Sequence, residues 1–579
     1  VRTDRLEPAI DLMAKLWGGQ GLLAWLPPGL VAAPFEGEVS LAADADDPAR
    51  AVTAKIGGLS REAGIRGEAV FARAGSGAID RFTSGSLAAS GPQAPAVLAL
   101  AGLPVPPGVT GPAEAAATLS RRDSAGLELA LNLQAPGLTL ATRTPIELRF
   151  DAKDAARGQI ALEAADLRPW LSAWRLPLLG RGDPLPTSLT LATGLKPGMI
   201  ELAPVGRIGS VQVRAELGLD TSQRIYWGEI ETDRFSLPGL LGPLVFGLSL
   251  PADARAAPPW DTRRFGVPAA FPASGDIVLR ARQMLAGLPS PLTDARVTVV
   301  LGPDRLVLKD VAGRLDAQEV GGTLTFTRQT GRVSVAGEVN AANALALMPG
   351  ADQILGGRWR SELRFGAAGE TATGLLTSLS GAGRVVWEEP SLPRIGATAP
   401  LRVAREALRR DDMPDAVGLS LALNEALGVS RPAPLGAERR DMPVVLQAGV
   451  LKAGPVSLEF DEGRLNTQIQ LDLRDLGFEA RVYGQAAESP RDWSGNPPSA
   501  GIVWRGPVSG PLKREIDPAP LLTALTAIKL GRELDRIEML EQDARERAFF
   551  NRRLKNSRDT DWSLPALPNF PPPLVPLAN

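Results

Sequence analysis

Apolar and polar residues alternate one by one along much of this chain. That period of two is what a β-strand with one dry face and one wet face requires. In Trp359-Arg360-Ser361-Glu362-Leu363-Arg364-Phe365 every second residue is charged. Leu465-Asn466-Thr467-Gln468-Ile469-Gln470-Leu471-Asp472-Leu473 alternates without a break once threonine is grouped with the apolar side. Leu127, Leu129, Leu131 and Leu133 interleave with Glu128, Ala130, Asn132 and Gln134, and the same rhythm runs through 146–150, 211–217, 333–339 and 478–482. Parallel strands buried on both faces would read as solid apolar runs, so a mainly β fold of antiparallel meanders is expected.

The punctuation between these runs agrees. The 61 glycines and 51 prolines imply many turns and short elements. Hairpin turns are expected at Gly302-Pro303-Asp304, Gln329-Thr330-Gly331, Asp461-Glu462-Gly463 and Ala367-Ala368-Gly369. Short helical inserts are expected at 167–174 after Asp166, at 237–244 after Asp233 and at 342–348 after Asn340, with Asp or Asn as N-cap. Gly350 and Gly356 supply stop signals after the third. Strands followed by a capped helix recur loosely at roughly 70–110 residues, as a degenerate repeat would. Residues 16–35 and 235–252 are uncharged, apolar and near membrane-span length. Pro27, Pro28 and Pro34 in the first, and Pro238, Pro243 and Pro251 in the second, favour packing within the protein instead.

The C-terminal part changes period. Asp517-Pro518 reads as an N-cap followed by proline at the first helical position. Leu530, Leu534, Ile537, Ala544 and Ala548 then keep helical spacing, so a helix over 518–555 is expected, with Gly531 inviting a break. The resulting division is 1–271 as an N-terminal β-rich segment, 272–515 as a second β region, 516–556 as an amphipathic helix and 557–579 as a proline-rich, extended or disordered tail. Residues 2–30 lack the charged start and apolar core of a targeting leader, and a missing upstream part is expected.

Two absences narrow the chemistry. The 579 residues contain no cysteine and no histidine. Disulfides, thiol catalysis, the commonest general base and every Ser-His-Asp triad are thereby excluded. A cysteine-free chain also suits an oxidising compartment. The formal charge of −2 and the lack of a basic stripe speak against a nucleic-acid partner. No phosphate-binding loop or nucleophile elbow occurs. Asp46-Asp47, Glu388-Glu389 and Asp411-Asp412 pair carboxylates in the manner of a glycosidase or hard-cation site, but solvated turns are their ordinary reading, as a surface patch is for Arg409-Arg410. Trp170, Trp174, Trp359, Trp387 and Trp504 are expected as core packing ahead of ligand stacking. A non-enzymatic protein without metal or cofactor is expected.

One resemblance is specific. Gly337-Glu338-Val339-Asn340-Ala341-Ala342-Asn343, a short helix and then Gly356-Gly357-Arg358-Trp359-Arg360-Ser361-Glu362-Leu363 resemble the AsmA-like family of bacterial envelope proteins. The pattern continues through Phe365-Gly366-Ala367-Ala368-Gly369-Glu370, 375–379 and Ser380-Gly381-Ala382-Gly383-Arg384-Val385-Val386-Trp387. Gly321-Gly322-Thr323-Leu324 is similar to the family's paired-glycine strand starts. Trp504-Arg505-Gly506-Pro507 and Glu546-Arg547-Ala548-Phe549-Phe550 are similar to the C-terminal region of alphaproteobacterial members. The likeness covers about 272–554, and upstream it rests on strand rhythm.

The resemblance implies a periplasmic location and an inner-membrane anchor outside this sequence. It also implies a long, curled antiparallel sheet, a β-groove of repeating units like that of bridge-like lipid transfer proteins, shielding phospholipid acyl chains. Some twenty to twenty-five strands at ~4.8 Å would extend roughly 100–120 Å. Leu363, Phe365, Ile469, Leu471 and Leu473 are the expected lining, although alternation alone fits a closed sandwich equally well. The expected function is lipid transport to, and integrity of, the outer membrane. The alternatives are a structural protein whose C-terminal helix docks an outer-membrane or envelope protein, and a polysaccharide-processing enzyme working through carboxylates.

Overall fold

The computed structural model describes residues 35–558 apart from 44–50, 74–78, 124–125, 150–155, 174–183, 249, 251–259, 269–273, 289, 316–317, 330, 343–354, 394–397, 428–431, 435–438 and 509. Its 26 strands form one mostly antiparallel sheet that does not close on itself. Successive strands are neighbours, from β1 (Glu36–Ala43) at one edge to β26 (Lys513–Asp517) at the other. The count slightly exceeds the expected twenty to twenty-five and gives a contour of about 120 Å across the strands.

Short connections come from turn chemistry. Pro136-Gly137 joins β6 (Gly126–Ala135) to β7 (Leu138–Arg149), and Pro197-Gly198 joins β9 (Thr187–Lys196) to β10 (Met199–Ile208). Gly137 and Gly198 have φ of +77° and +76°, the second central position of a type II turn, while proline presets the first. Gly302-Pro303-Asp304 and Asp461-Glu462-Gly463 lie at hairpin turns as expected. Ala367-Ala368-Gly369 does not. These residues end β18 (Gly356–Gly369), pairing with Val335, Ser334 and Val333, and the reversal is made by the following helix, α4 (Ala372–Ser378).

Two departures break the simple meander. The strand β19 (Ser380–Pro393) pairs mainly with β21 (Arg440–Gln447), while the short β20 (Pro432–Pro434) extends its end. More consequentially, β12 (Ile225–Ser236) and β13 (Ser274–Leu285) run parallel. A parallel pair requires a crossover, and here the chain crosses the apolar side of the sheet. It does so as α3 (Leu237–Leu241) and a π-helical turn (Gly242–Phe246). Leu244, Val245 and Phe265 pack there against Leu279, Val297, Leu308 and Phe326. The apolar stretch beginning at 235 is therefore a packed crossover, as its prolines indicated; 16–34 lies outside the described residues. Its N-cap is Ser236, whose Oγ accepts the Gly239 N–H at 3.0 Å. The expected cap, Asp233, instead accepts the Gln212 N–H on the neighbouring strand at 3.0 Å.

Further helices pack on the same side. The helix α1 (Ala94–Leu100) and α2 (Arg168–Ala173) cover the N-terminal strands, where Leu98 and Trp170 are fully buried. Asp166 accepts the Arg168 N–H, as expected. Trp174 and most of the insert at 342–348 lie outside the described residues, as do 559–579 of the tail. At the other end α5 (Ala399–Arg409), α6 (Ala416–Leu427) and the first turns of α7 (Ala519–Arg558) close over the C-terminal strands. The helix α7 is continuous for 40 residues, and Gly531 does not break it. One glycine costs about 1 kcal/mol in a helix interior, too little to interrupt forty residues of otherwise good helix formers. No helix among the described residues is long and apolar enough to cross a membrane.

Candidate functional site

The strand register assembles a surface larger than any one motif. Residues directly opposite each other in a ladder share a face, so the pairings can be followed strand by strand. Thr193 meets Leu202, then Leu217, Gly228, Ile277, Val299 and Leu308. The row continues through Leu324, Gly337, Phe365, Gly381, Leu446 and Leu451 to Leu471 and Phe478. A second row, two residues over, carries Leu363, Gly383, Val444, Ala453 and Ile469. On this whole face, no ladder-paired position among the described strands is Asp or Glu. Its cations stand near strand ends, as Arg328 does; there the guanidinium holds the carbonyls of Leu244, Gly302 and Pro303 at 2.6 to 2.8 Å. Burial lowers the Arg328 pKa from its usual value, while nearby Asp304 opposes the shift.

The opposite face carries the ion pairs, interspersed with exposed Leu59, Val205, Trp227 and Val445. Glu338 pairs with Arg364, and Glu362 with Arg384, each at 3.1 Å across adjacent strands. Such exposed pairs contribute a few tenths of a kcal/mol each and mainly keep that side wet. Glu388 and Glu389 both take part in this lattice through Arg358, which gives the paired carboxylates a structural partner. Among the described residues no group of three or more acidic side chains is placed to hold a metal. A concavity of about 1010 Å³ between β7 and β13 is lined by Glu147, Arg157, Glu201, Glu216, Trp227 and Asp276 together with Leu202, Leu217 and Val278.

Cover over the apolar face varies along the sheet. Near the C-terminus it is sealed: Ile469 is 3% exposed, in one core with Trp359, Trp387, Leu423, Trp504 and Leu525. The Trp359 and Trp387 rings lie 4.9 Å apart, and Trp387 Nε1 donates to the Gly356 carbonyl at 2.7 Å. The middle is bridged by the crossover. Toward the N-terminus the face opens, and Leu41, Leu131 and Leu202 are 49, 37 and 38% exposed.

The expected lining residues divide accordingly. Leu363, Phe365, Leu471 and Leu473 are half-buried. Ile469 lies in the sealed core and lines no accessible surface. Leu41, Leu131 and Leu202 were missed as candidates. Leu131 stands within an alternating run, and what distinguishes it is that no helix among the described residues lies above it. Trp170, Trp359, Trp387 and Trp504 are core residues, as expected. No protein-family model, no curated protein and no solved structure matches this chain.

Proposed function

We propose that this chain is a non-catalytic periplasmic protein that shields or conducts phospholipid acyl chains along its apolar sheet face, supporting lipid transport to the outer membrane and the integrity of that membrane. The observation that carries the reading is the continuous face without a ladder-paired carboxylate, exposed at Leu41, Leu131 and Leu202. Each methylene removed from water is worth about 0.8 kcal/mol, so an aliphatic lane offers an acyl chain a large gain that a lane with carboxylates would forfeit. The resemblance of 337–387 to AsmA-like proteins supports the same ligand class and location. Phe365 and Leu471, half-buried on the same ladder row as Leu202, support the reading.

The test is mass spectrometry of lipids that co-purify with the chain expressed in a bacterial envelope. Phospholipid is expected with the unaltered protein, and Leu131→Asp with Leu202→Asp should remove most of it while the β-sheet circular dichroism is retained. A folded double variant with undiminished lipid, or an unaltered protein free of lipid, would overturn the proposal.

A further inference from the structure

The helix α7 belongs to the body of the protein only at its start. Leu521 and Leu525 are fully buried, and Lys529 is the last buried residue. With Gly531 half-buried, every residue from 532 to 556 is exposed, about 38 Å of helix. That length carries Leu534, Ile537, Leu540, Phe549, Phe550 and Leu554, all exposed. A helix with so much uncovered apolar surface marks an interaction site.

Its charges say what covers it. Between 533 and 543 five acidic residues stand against the single Arg536, whereas between 545 and 558 six basic residues stand against the single Glu546. The border is stitched internally by Glu541–Arg545 and Asp543–Arg547 at 3.0 and 2.6 Å. Each half is thus the electrostatic complement of the other. We propose that this helix pairs antiparallel with the same helix of a second copy of the chain, about a two-fold axis near Arg545. Pairing of this kind sets Glu538 level with the partner's Arg552, and Glu538, Arg545 and Arg552 stand two turns apart on one side of the helix. A parallel pair would stack acid on acid and base on base. Leu534 and Phe549 lie on that same side of the helix, so two-fold pairing covers both in each copy. Leu530 lies fifteen residues from the axis, so the two sheets stand at opposite ends, about 45 Å apart, and do not collide. An anionic lipid surface fits less well, since a helix lying on it would press its acidic half against like charge.

Sedimentation velocity on the full chain tests this. Dimer is expected at low salt, with association weakened at least tenfold in 1 M salt, where the Debye length is about 3 Å. R552E/R553E and D535R/E538R alter only exposed residues, and each should sediment as monomer with unchanged circular dichroism. Their equimolar mixture, one helix carrying a net acidic and the other a net basic charge, should recover the dimer. A wild-type monomer at high micromolar concentration, a dimer that survives R552E/R553E, or a mixture that stays monomeric would overturn the proposal. So would a monomer that floats with phosphatidylglycerol vesicles through 545–558.

Discussion

The ring of Phe365 covers Gly337, its ladder partner on the neighbouring strand. A Cβ built on Gly337 would stand 2.9 Å from Phe365 Cζ and 2.6 Å from Leu324 Cδ2. The glycine is what allows a large aromatic to lie flat on the apolar face. Gly337→Ala should therefore lower stability by about 1–3 kcal/mol, read as a reduced denaturation midpoint. An unchanged midpoint would mean that the ring lifts off freely.

Lys529 anchors the long helix. Its ammonium, 8% exposed, donates to the carbonyl oxygens of Arg410 and Asp412 in the turn after α5. Lys529→Met keeps the aliphatic stem but orphans two carbonyls. A loss of about 2–3 kcal/mol is expected, with faster hydrogen exchange over 519–530 as the specific sign. Exchange confined to 532–556 would contradict the anchor.

Asp166 links α2 to the strand that follows. Its carboxylate accepts from the Arg168 guanidinium at 2.8 Å and from the Leu185 N–H at 3.0 Å. The Arg168 hydrogen bond is the main cause that holds its pKa at about 2 rather than 3.8. Because the folded pKa is depressed, the stabilisation is present above pH 3.8 and is lost as pH falls from there toward about 2. Asp166→Asn should cost about 1–2 kcal/mol at neutral pH. The gap between variant and parent melting curves should close on acidification, and a pH-independent gap would rule out the ionised carboxylate as its source.

Ile469 and Leu202 separate core from lane. Ile469→Asp buries a charge among Trp359, Leu465 and Val482 and should prevent folding. Leu202→Asp meets water and should leave the melting curve within about 1 kcal/mol of the parent. Equal damage from both would show that the N-terminal face is as closed as the C-terminal one.

Alternation made the strands of this sheet legible because a period of two has no helical counterpart, and 465–473 shows it in β23 (Gly463–Asp472) almost residue for residue. It could not tell Ile469 from Leu471, since the two differ in cover and not in pattern. The parallel pairing of β12 and β13 was equally hidden: a strand with one wet face reads the same whichever way its neighbour runs. The cap at Ser236 escaped because Asp233, three residues earlier, is also a good capping residue and is used across the strand instead. The single helix over 518–555 was legible in its helical spacing, and Gly531, a local preference only, does not interrupt it.

The one parallel step has an effect on the polarity of the whole sheet. In an antiparallel meander, connections fall alternately on an upper and a lower rim. The links from β4 (Ile79–Gly91) to β5 (Ala113–Arg121) and from β8 (Ala156–Ala164) to β9, which carry α1 and α2, share the lower rim. By crossing over after β12 the chain shifts the alternation by one strand. The link from β19 to β21 with α5 and α6, and the exit of α7 after β26, then fall on that same lower rim. Among the described residues, apart from the short helix at Ala372–Ser378, the helical caps all stand on one rim. A single change of strand direction thus gives a sheet of near-uniform strands two unlike sides, and assigns the projecting helix to one of them.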